Sequence, residues 1–319
     1  MKAYVYGANG PTITDASQPT PKGAQVLVKV RACGLNRADL GMTKGHVHGS
    51  RGGVGTVLGM EWAGEVAALG PEAKGVAVGD RIMGSGAAAF AEYTLADSGR
   101  MLRTPSNMNF EEAATLPVAL TTMHNAVVTN GALQMGQTVL VQGASSGVGL
   151  MAMQIAKLKG ARLVVGSSTN AMRRGRLKEF GADLAIDSSD PAWVEQVLAA
   201  TNGEGVDLII DQVSGKVANQ NLAATKIKAA SSMSAGSAAP MPISISTCMR
   251  RAASTISALP SAPARQKRSP ISSKRRGATS GARWRAASCS CPSTRFSSST
   301  TSQLRLRIWK PTSTSARSS

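Results

Sequence analysis

Val139-Leu140-Val141-Gln142-Gly143-Ala144-Ser145-Ser146-Gly147-Val148-Gly149 decides the reading of this chain. An apolar run of strand length ends in glycine, and a helical pattern then runs from Val148 to Lys159. Glycine lets backbone come close to a phosphorylated ligand, and the first N–H groups of a helix have no partner inside it. With a second strand expected at Arg162 to Val165, the context predicts a dinucleotide, its diphosphate held at Gly143, Ala144, Ser145, Ser146, Gly147, Val148 and Gly149.

Toward the C-terminus the alternation continues: helix Ala171 to Phe180, strand Leu184 to Ile186, helix Ala192 to Ala200, strand Val206 to Ile210 and a helical Asn219 to Lys228. Gly181 suits a helix C-cap, and Ser189 or Asp190 with Pro191 suits a helix start. Strands joined by crossover helices predict a parallel sheet covered on both faces. After the second strand comes Gly166-Ser167-Ser168-Thr169-Asn170-Ala171-Met172-Arg173-Arg174, with no carboxylate to hold a free ribose hydroxyl. Ser167, Ser168 and Arg173 therefore point to the 2′-phosphate of NADP.

Toward the N-terminus the rhythm is different. Val26, Val28 and Val30 alternate as in a half-buried strand, and strand-like pieces follow at Gly64 to Leu69, Asp80 to Met83 and Ala91 to Leu95. The chain is thus α/β, with a β-rich unit over 1–115, a parallel-sheet unit over 116–228 and a different composition over 229–319. A short-chain dehydrogenase would need a tyrosine downstream of the turn. Tyr4, Tyr6 and Tyr93 all precede it.

The motifs Cys33-Gly34-Leu35-Asn36-Arg37-Ala38-Asp39-Leu40, Gly59-Met60-Glu61-Trp62-Ala63-Gly64-Glu65-Val66, Val78-Gly79-Asp80-Arg81-Ile82, Ala114-Thr115-Leu116-Pro117 and Gly181-Ala182-Asp183 complete a pattern with the glycine turn. Over residues 1 to 228 the chain resembles the medium-chain dehydrogenase/reductase superfamily, in its zinc-independent quinone oxidoreductase branch. That resemblance implies a GroES-like substrate domain, a Rossmann domain and a cleft between them. It implies Asn36 near the substrate carbonyl or nicotinamide, Thr121 near the cofactor, and Tyr93 as a weaker catalytic candidate. Asn36 and Met60 stand where zinc-dependent relatives carry Cys and His ligands, so no catalytic metal is expected. His46-Val47-His48, with Cys33 and Glu61, is the rival metal feature, read first as a polar substrate loop. The implied reaction is NADPH-dependent reduction of a quinone or α,β-unsaturated carbonyl. Relatives are homodimers, a state in doubt here because late sheet strands build that interface.

The chain carries 36 Lys and Arg against 18 Asp and Glu, a net charge of +18. No acidic residue follows Asp211. From Ala229 onward Ser, Ala, Arg and Pro dominate, a composition that predicts disorder. A relative would present a glycine-rich strand where Ala229 to Gly236 stand, so a shifted reading frame is expected there. The alternative is a tail that binds polyanions or nucleic acid through Lys267-Arg268, Lys274-Arg275-Arg276, Trp284 and Trp309, although specific nucleic-acid recognition is not expected. Cys248, Cys289 and Cys291 make neither a disulfide framework nor a zinc site. The start lacks a secretory apolar segment and no membrane span is evident, so a cytoplasmic protein is expected.

Overall fold

The computed structural model describes residues 1–47, 52–233 and 255–258. The N-terminal unit holds strands β1 (Lys2–Gly7), β2 (Gly10–Asp15) and β3 (Gln25–Gly34), helix α1 (Arg37–Met42), then β4 (Thr56–Val57), β5 (Glu61–Leu69), β6 (Arg81–Ser85), β7 (Tyr93–Asp97) and β8 (Met101–Arg103). They pair into a three-stranded sheet, β2-β1-β4, and a five-stranded sheet, β7-β3-β5-β6-β8. Val26, Val28, Trp62, Val66 and Ile82 pack together inside this unit, as the alternation of Val26 and Val28 requires.

Helices α2 (Phe110–Ala114) and α3 (Pro117–His124) lead into the second unit, and a π-helical turn at Asn125–Asn130 follows. Next come β9 (Thr138–Gln142), α4 (Gly147–Leu158), β10 (Leu163–Ser167), α5 (Ala171–Gly175), β11 (Leu184–Ile186), α6 (Trp193–Ala200), β12 (Val206–Asp211), α7 (Ala218–Ala223), β13 (Thr225–Met233) and β14 (Thr255–Ala258). The sheet order is β11-β10-β9-β12-β13-β14, parallel throughout. Every residue of β9 is buried. Val139 and Val141 enter the cluster containing α3 and α4, while Leu140 enters the one containing Trp193 and Val197 of α6. Both faces of the strand are covered, which explains its uninterrupted apolar run. Each such side chain contributes roughly 1.5–3 kcal/mol relative to exposure.

Two sequence expectations change. The helix expected over Ala171 to Phe180 stops at Gly175, and a separate 3₁₀ turn spans Leu177–Phe180, ending on Gly181 at φ 100°. Gly175 is a weak helix former, so the chain breaks there without loss of a buried contact. The helix expected over Asn219 to Lys228 ends at Ala223, and β13 begins at Thr225. Thr225 and Ile227 are β-branched, and the open side of β12 offers backbone partners from Val206 to Asp211. Strand β13 continues to Met233, and β14 pairs with it in parallel. His48, the three late cysteines and most of the basic tail lie outside the described residues.

One apolar cluster joins the two units. It runs from Ala63 and Met83 of the five-stranded sheet through Ala113, Leu116 and Leu120 to Met153 and Val141. This continuous packing fixes the end of β3, with Asn36 just beyond it, against the helices that lead to the glycine turn.

Candidate active site

Ser146 is the N-cap of α4, and its hydroxyl accepts from Gly149 N at 3.1 Å while donating to Gly143 O at 2.9 Å. Gly143 stands at φ 69°, a left-handed conformation that glycine adopts without a Cβ clash. Gly149 permits close approach: a Cβ there would lie 2.6 Å from Gly143 O and 2.7 Å from Ala144 Cα. At Gly147, by contrast, a Cβ would meet nothing within 4 Å, so that face of the helix start is open.

The turn's backbone donors divide into two sets. Gly143 N donates to Ser167 Oγ, Ala144 N to Ser167 O, Ser146 N to Gly143 O and Gly149 N to Ser146 Oγ. Ser145, Gly147 and Val148 N–H find no acceptor among the described residues. Three neighbouring donors at a helix start, with the positive end of its dipole, form an anion-binding nest.

Beneath the nest lies a buried polar chain that the sequence did not announce. Ser167 Oγ donates to Gln142 Oε1, Gln142 Nε2 donates to Asn221 Oδ1, and Asn221 Nδ2 donates to Asp211 Oδ2. Asp211 Oδ1 in turn accepts from Val213 N and Ser214 N. This chain ties β9, β10, β12 and α7 under the turn, and burial makes each of its bonds costly to break. Ser167 is fully buried and Ser168 nearly so, with Ser168 Oγ donating to Ser145 Oγ at 3.0 Å. Ser167, the last residue of β10, thus supports the turn through its hydroxyl.

A cleft of about 480 Å³ opens beside the turn, lined by Arg37, Thr115, Leu116, Ala119, Ser145, Ser146, Gly147, Leu150, Gln154, Arg173 and Arg176 among others. Of the residues expected to bind cofactor, Ser145, Ser146, Gly147 and Arg173 line it together. Arg174 does not: its guanidinium bonds Asp187 Oδ2 and Ser168 O, both at 2.8 Å. Arg37 is an addition, brought to the cleft from α1 of the other unit. Its signal in the sequence was its place directly after Asn36, but only packing between the units aims it at the turn.

Asn36 follows β3 and precedes α1. Its Nδ2 donates to Glu61 Oε1 at 2.8 Å and its backbone N–H to Asp39 Oδ2 at 2.8 Å. Glu61, only 3% exposed, also accepts from Val118 N in α3 at 2.9 Å. Burial pushes the Glu61 carboxyl up, and the nearby Asp39 adds to this, against the lowering effect of the Val118 and Asn36 donors. Burial likewise pushes the Cys33 thiol up to about 11. Thr121 lies on α3, its hydroxyl bonded back to Pro117 O at 2.6 Å. Tyr93 is set apart: it pairs with Lys29 on β3, five residues and about 16 Å of extended strand from Gly34.

Among the described residues no three His, Cys, Asp or Glu side chains gather as a metal site would need. Asn36 commits its amide nitrogen to Glu61, and Met60 is a buried thioether. Those two side chains do not fit a zinc ion, which takes thiolate, imidazole or carboxylate. No described helix is long and apolar enough to cross a membrane.

Comparison with known proteins follows the same division. The family described as "Alcohol dehydrogenase GroES-like domain" matches residues 22–106, and "Zinc-binding dehydrogenase" matches residues 147–266. A phenolphthiocerol/phthiocerol polyketide synthase of Mycobacterium tuberculosis is 32% identical over 204 residues, 64% of this chain and 9% of that protein. This chain therefore spans less than a tenth of that relative. A solved mycobacterial quinone oxidoreductase is 25% identical with a TM-score of 0.72, over 81% of each chain. A mycobacterial protein solved as its NADPH complex is 26% identical with a TM-score of 0.72, over 82% of each.

Proposed function

Because the chain belongs to the medium-chain dehydrogenase/reductase superfamily, we propose that it is built as an NADPH-dependent, zinc-independent reductase of quinones or α,β-unsaturated carbonyls. The three unshared N–H groups of Ser145, Gly147 and Val148 carry this reading, since they offer a diphosphate its donors without any side-chain rearrangement. Arg173 lies in the same cleft, and no carboxylate follows β10 to repel a 2′-phosphate. When bound, the reduced nicotinamide supplies the hydride. The protein's part is to orient the acceptor, exclude water and stabilise the oxyanion that forms as conjugation carries charge to oxygen. Asn36 would give that hydrogen bond through the second N–H of its amide, the first being held by Glu61, and solvent returns the proton. Leu35, 84% exposed beside Asn36, gives an uncharged ring or alkenyl chain an apolar surface.

The test measures NADPH oxidation with one quinone and one enone, each with added zinc and with chelator, and compares NADH. Activity that disappears on chelation overturns the metal-free mechanism. Equal use of NADH overturns the cofactor assignment.

The tail enters this reading through its codons. Ser231-Ser232-Met233-Ser234 and Ile243-Ser244-Ile245-Ser246-Thr247 carry the argument. With Ser encoded as TCN, a frame that joins the third base of each codon to the first two of the next turns every Ser into Ile, Leu, Phe or Val. Each Ile, Met or Thr becomes Asn, Asp, His or Tyr, and each Ala becomes Gly, Ser, Arg or Cys. Met233-Ser234 is forced to Val and Met241-Pro242 to Ala. The shifted text from Ser231 therefore gives two apolar positions, one of Asn, Asp, His or Tyr, and Val, followed by positions that admit glycine, then an alternation that admits aspartate. Ser231 and Ser232 sit in register with Ile209 and Ile210 of the central sheet, where a parallel strand is ordinarily apolar. We propose that the gene changes frame close to Ala229 and that the other frame encodes the strand completing the nucleotide site. Sequencing the gene decides it: codons other than TCN at these serines, or an in-frame stop in the shifted text, overturn the assignment.

A further inference from the structure

Glu61 is a buried carboxylate that the reaction just described does not use. Both its oxygens are committed, Oε1 to Asn36 Nδ2 at 2.8 Å and Oε2 to Val118 N at 2.9 Å. The first partner belongs to the N-terminal unit and the second to the first turn of α3, which packs on α4. No slack surrounds it: a Cβ at Gly34 would lie 2.4 Å from Ala114 O and 2.5 Å from Glu61 Oε1. An ionised carboxylate only accepts hydrogen bonds, whereas a carboxamide can present either its oxygen or its NH₂ group after a half-turn. Facing Glu61, Asn36 is held with its NH₂ toward the carboxylate.

We propose that Glu61 is the positioning residue of this site, fixing one of the two orientations of the Asn36 carboxamide and pinning it to α3 beside the nucleotide turn. The inference rests on the role given to Asn36 above. Glutamine in place of Glu61 has the same size, with its oxygen accepting from Val118 N. Its NH₂ group then faces Asn36 and turns that carboxamide over. The reacting oxygen, served in the parent by the second N–H of the Asn36 amide, would then meet Oδ1, an acceptor, while fold and nucleotide site stay intact.

The charged neighbour of Glu61 is Asp39 of α1, 4% exposed. On β3, Cys33 carries a thiol held neutral by burial, and Gly34, Ala114 and Val118 do not titrate. Any pH response of the Asn36 NH₂ signal therefore reports Glu61 with Asp39.

The experiment uses the full chain labelled with ¹⁵N-asparagine, its Asn36 side-chain signal assigned through Asn36→Ala. In Glu61→Gln the Asn36 NH₂ resonances should move and keep only the part of their pH dependence that Asp39 contributes, and NADPH affinity should stay within twofold. Turnover should fall at least tenfold with little change in KM for the nucleotide. In the Asn36→Ala background, adding Glu61→Gln should cost no further turnover. Unmoved Asn36 resonances in Glu61→Gln overturn the proposal, as does an equal loss of turnover with and without Asn36. Failure of the parent chain to bind NADPH would count against the proposed function alone, because the resonances still report whether Glu61 orients Asn36.

Discussion

Gly147→Asp separates the nest from the fold it belongs to. Gly147 has ordinary φ, and a Cβ there meets nothing within 4 Å, so the side chain enters open space at the start of α4. A carboxylate in the first turn of a helix stabilises it by about 0.3–1 kcal/mol. The same carboxylate stands where the diphosphate must sit. At about 5 Å and an effective dielectric near 20, one pair of like charges costs about 3 kcal/mol, more than a hundredfold in affinity. Fluorescence titration with NADPH at 50 mM salt or so should show that loss, and it should shrink as salt screens the pair. The melting temperature should hold or rise. A variant that keeps its melting temperature and binds NADPH within threefold of the parent would refute the assignment of the diphosphate to this turn.

Gly149→Ala should do the opposite, since its Cβ meets only backbone of Gly143 and Ala144: a loss of about 1–3 kcal/mol in urea unfolding, with an unchanged midpoint counting against the packing. Arg173→Ala should weaken NADPH by roughly tenfold or more and leave NADH unaffected, because a charge-assisted bond is worth about 1.5–3 kcal/mol; equal effects on both would remove Arg173 from the 2′-phosphate. The Asp187 carboxyl is held below its usual range by the Ser189 hydroxyl first, then the Ser189 N–H, with Arg174 adding to it. A depressed folded value gives stability that is present above the unfolded pKa and fades as pH falls through the folded one. Acid unfolding of Asp187→Asn should therefore depend less steeply on pH below about 4 than that of the parent, and parallel curves would dismiss the contribution.

The parallel sheet, the glycine turn and the β-rich N-terminal unit were legible in the chain because they depend on local properties. Val139 to Gln142 is apolar enough to be buried on both faces, and glycines mark where backbone must pass close to backbone. Local pattern failed where a competing partner lay far along the chain. Thr225 to Lys228 reads as helix until the open side of β12 is present to pair with it. The bonds of the Ser167 hydroxyl to Gln142 and Gly143 were likewise invisible, because those partners lie about 25 positions away.

What the residues determined unaided was the chemistry available: a turn that accepts phosphate, arginines in place of a carboxylate, and an asparagine where a thiolate would hold metal. Tertiary packing alone decided which of those groups meet. It carried Arg37 across to the cleft, paired Tyr93 with Lys29 on β3, occupied Arg174 with Asp187, and set Glu61 between Asn36 and α3. The reason is that donors, acceptors and charges act over a few ångströms, and only the folded arrangement of β3, β5, α1 and α3 brings residues 25 to 57 positions apart within that range.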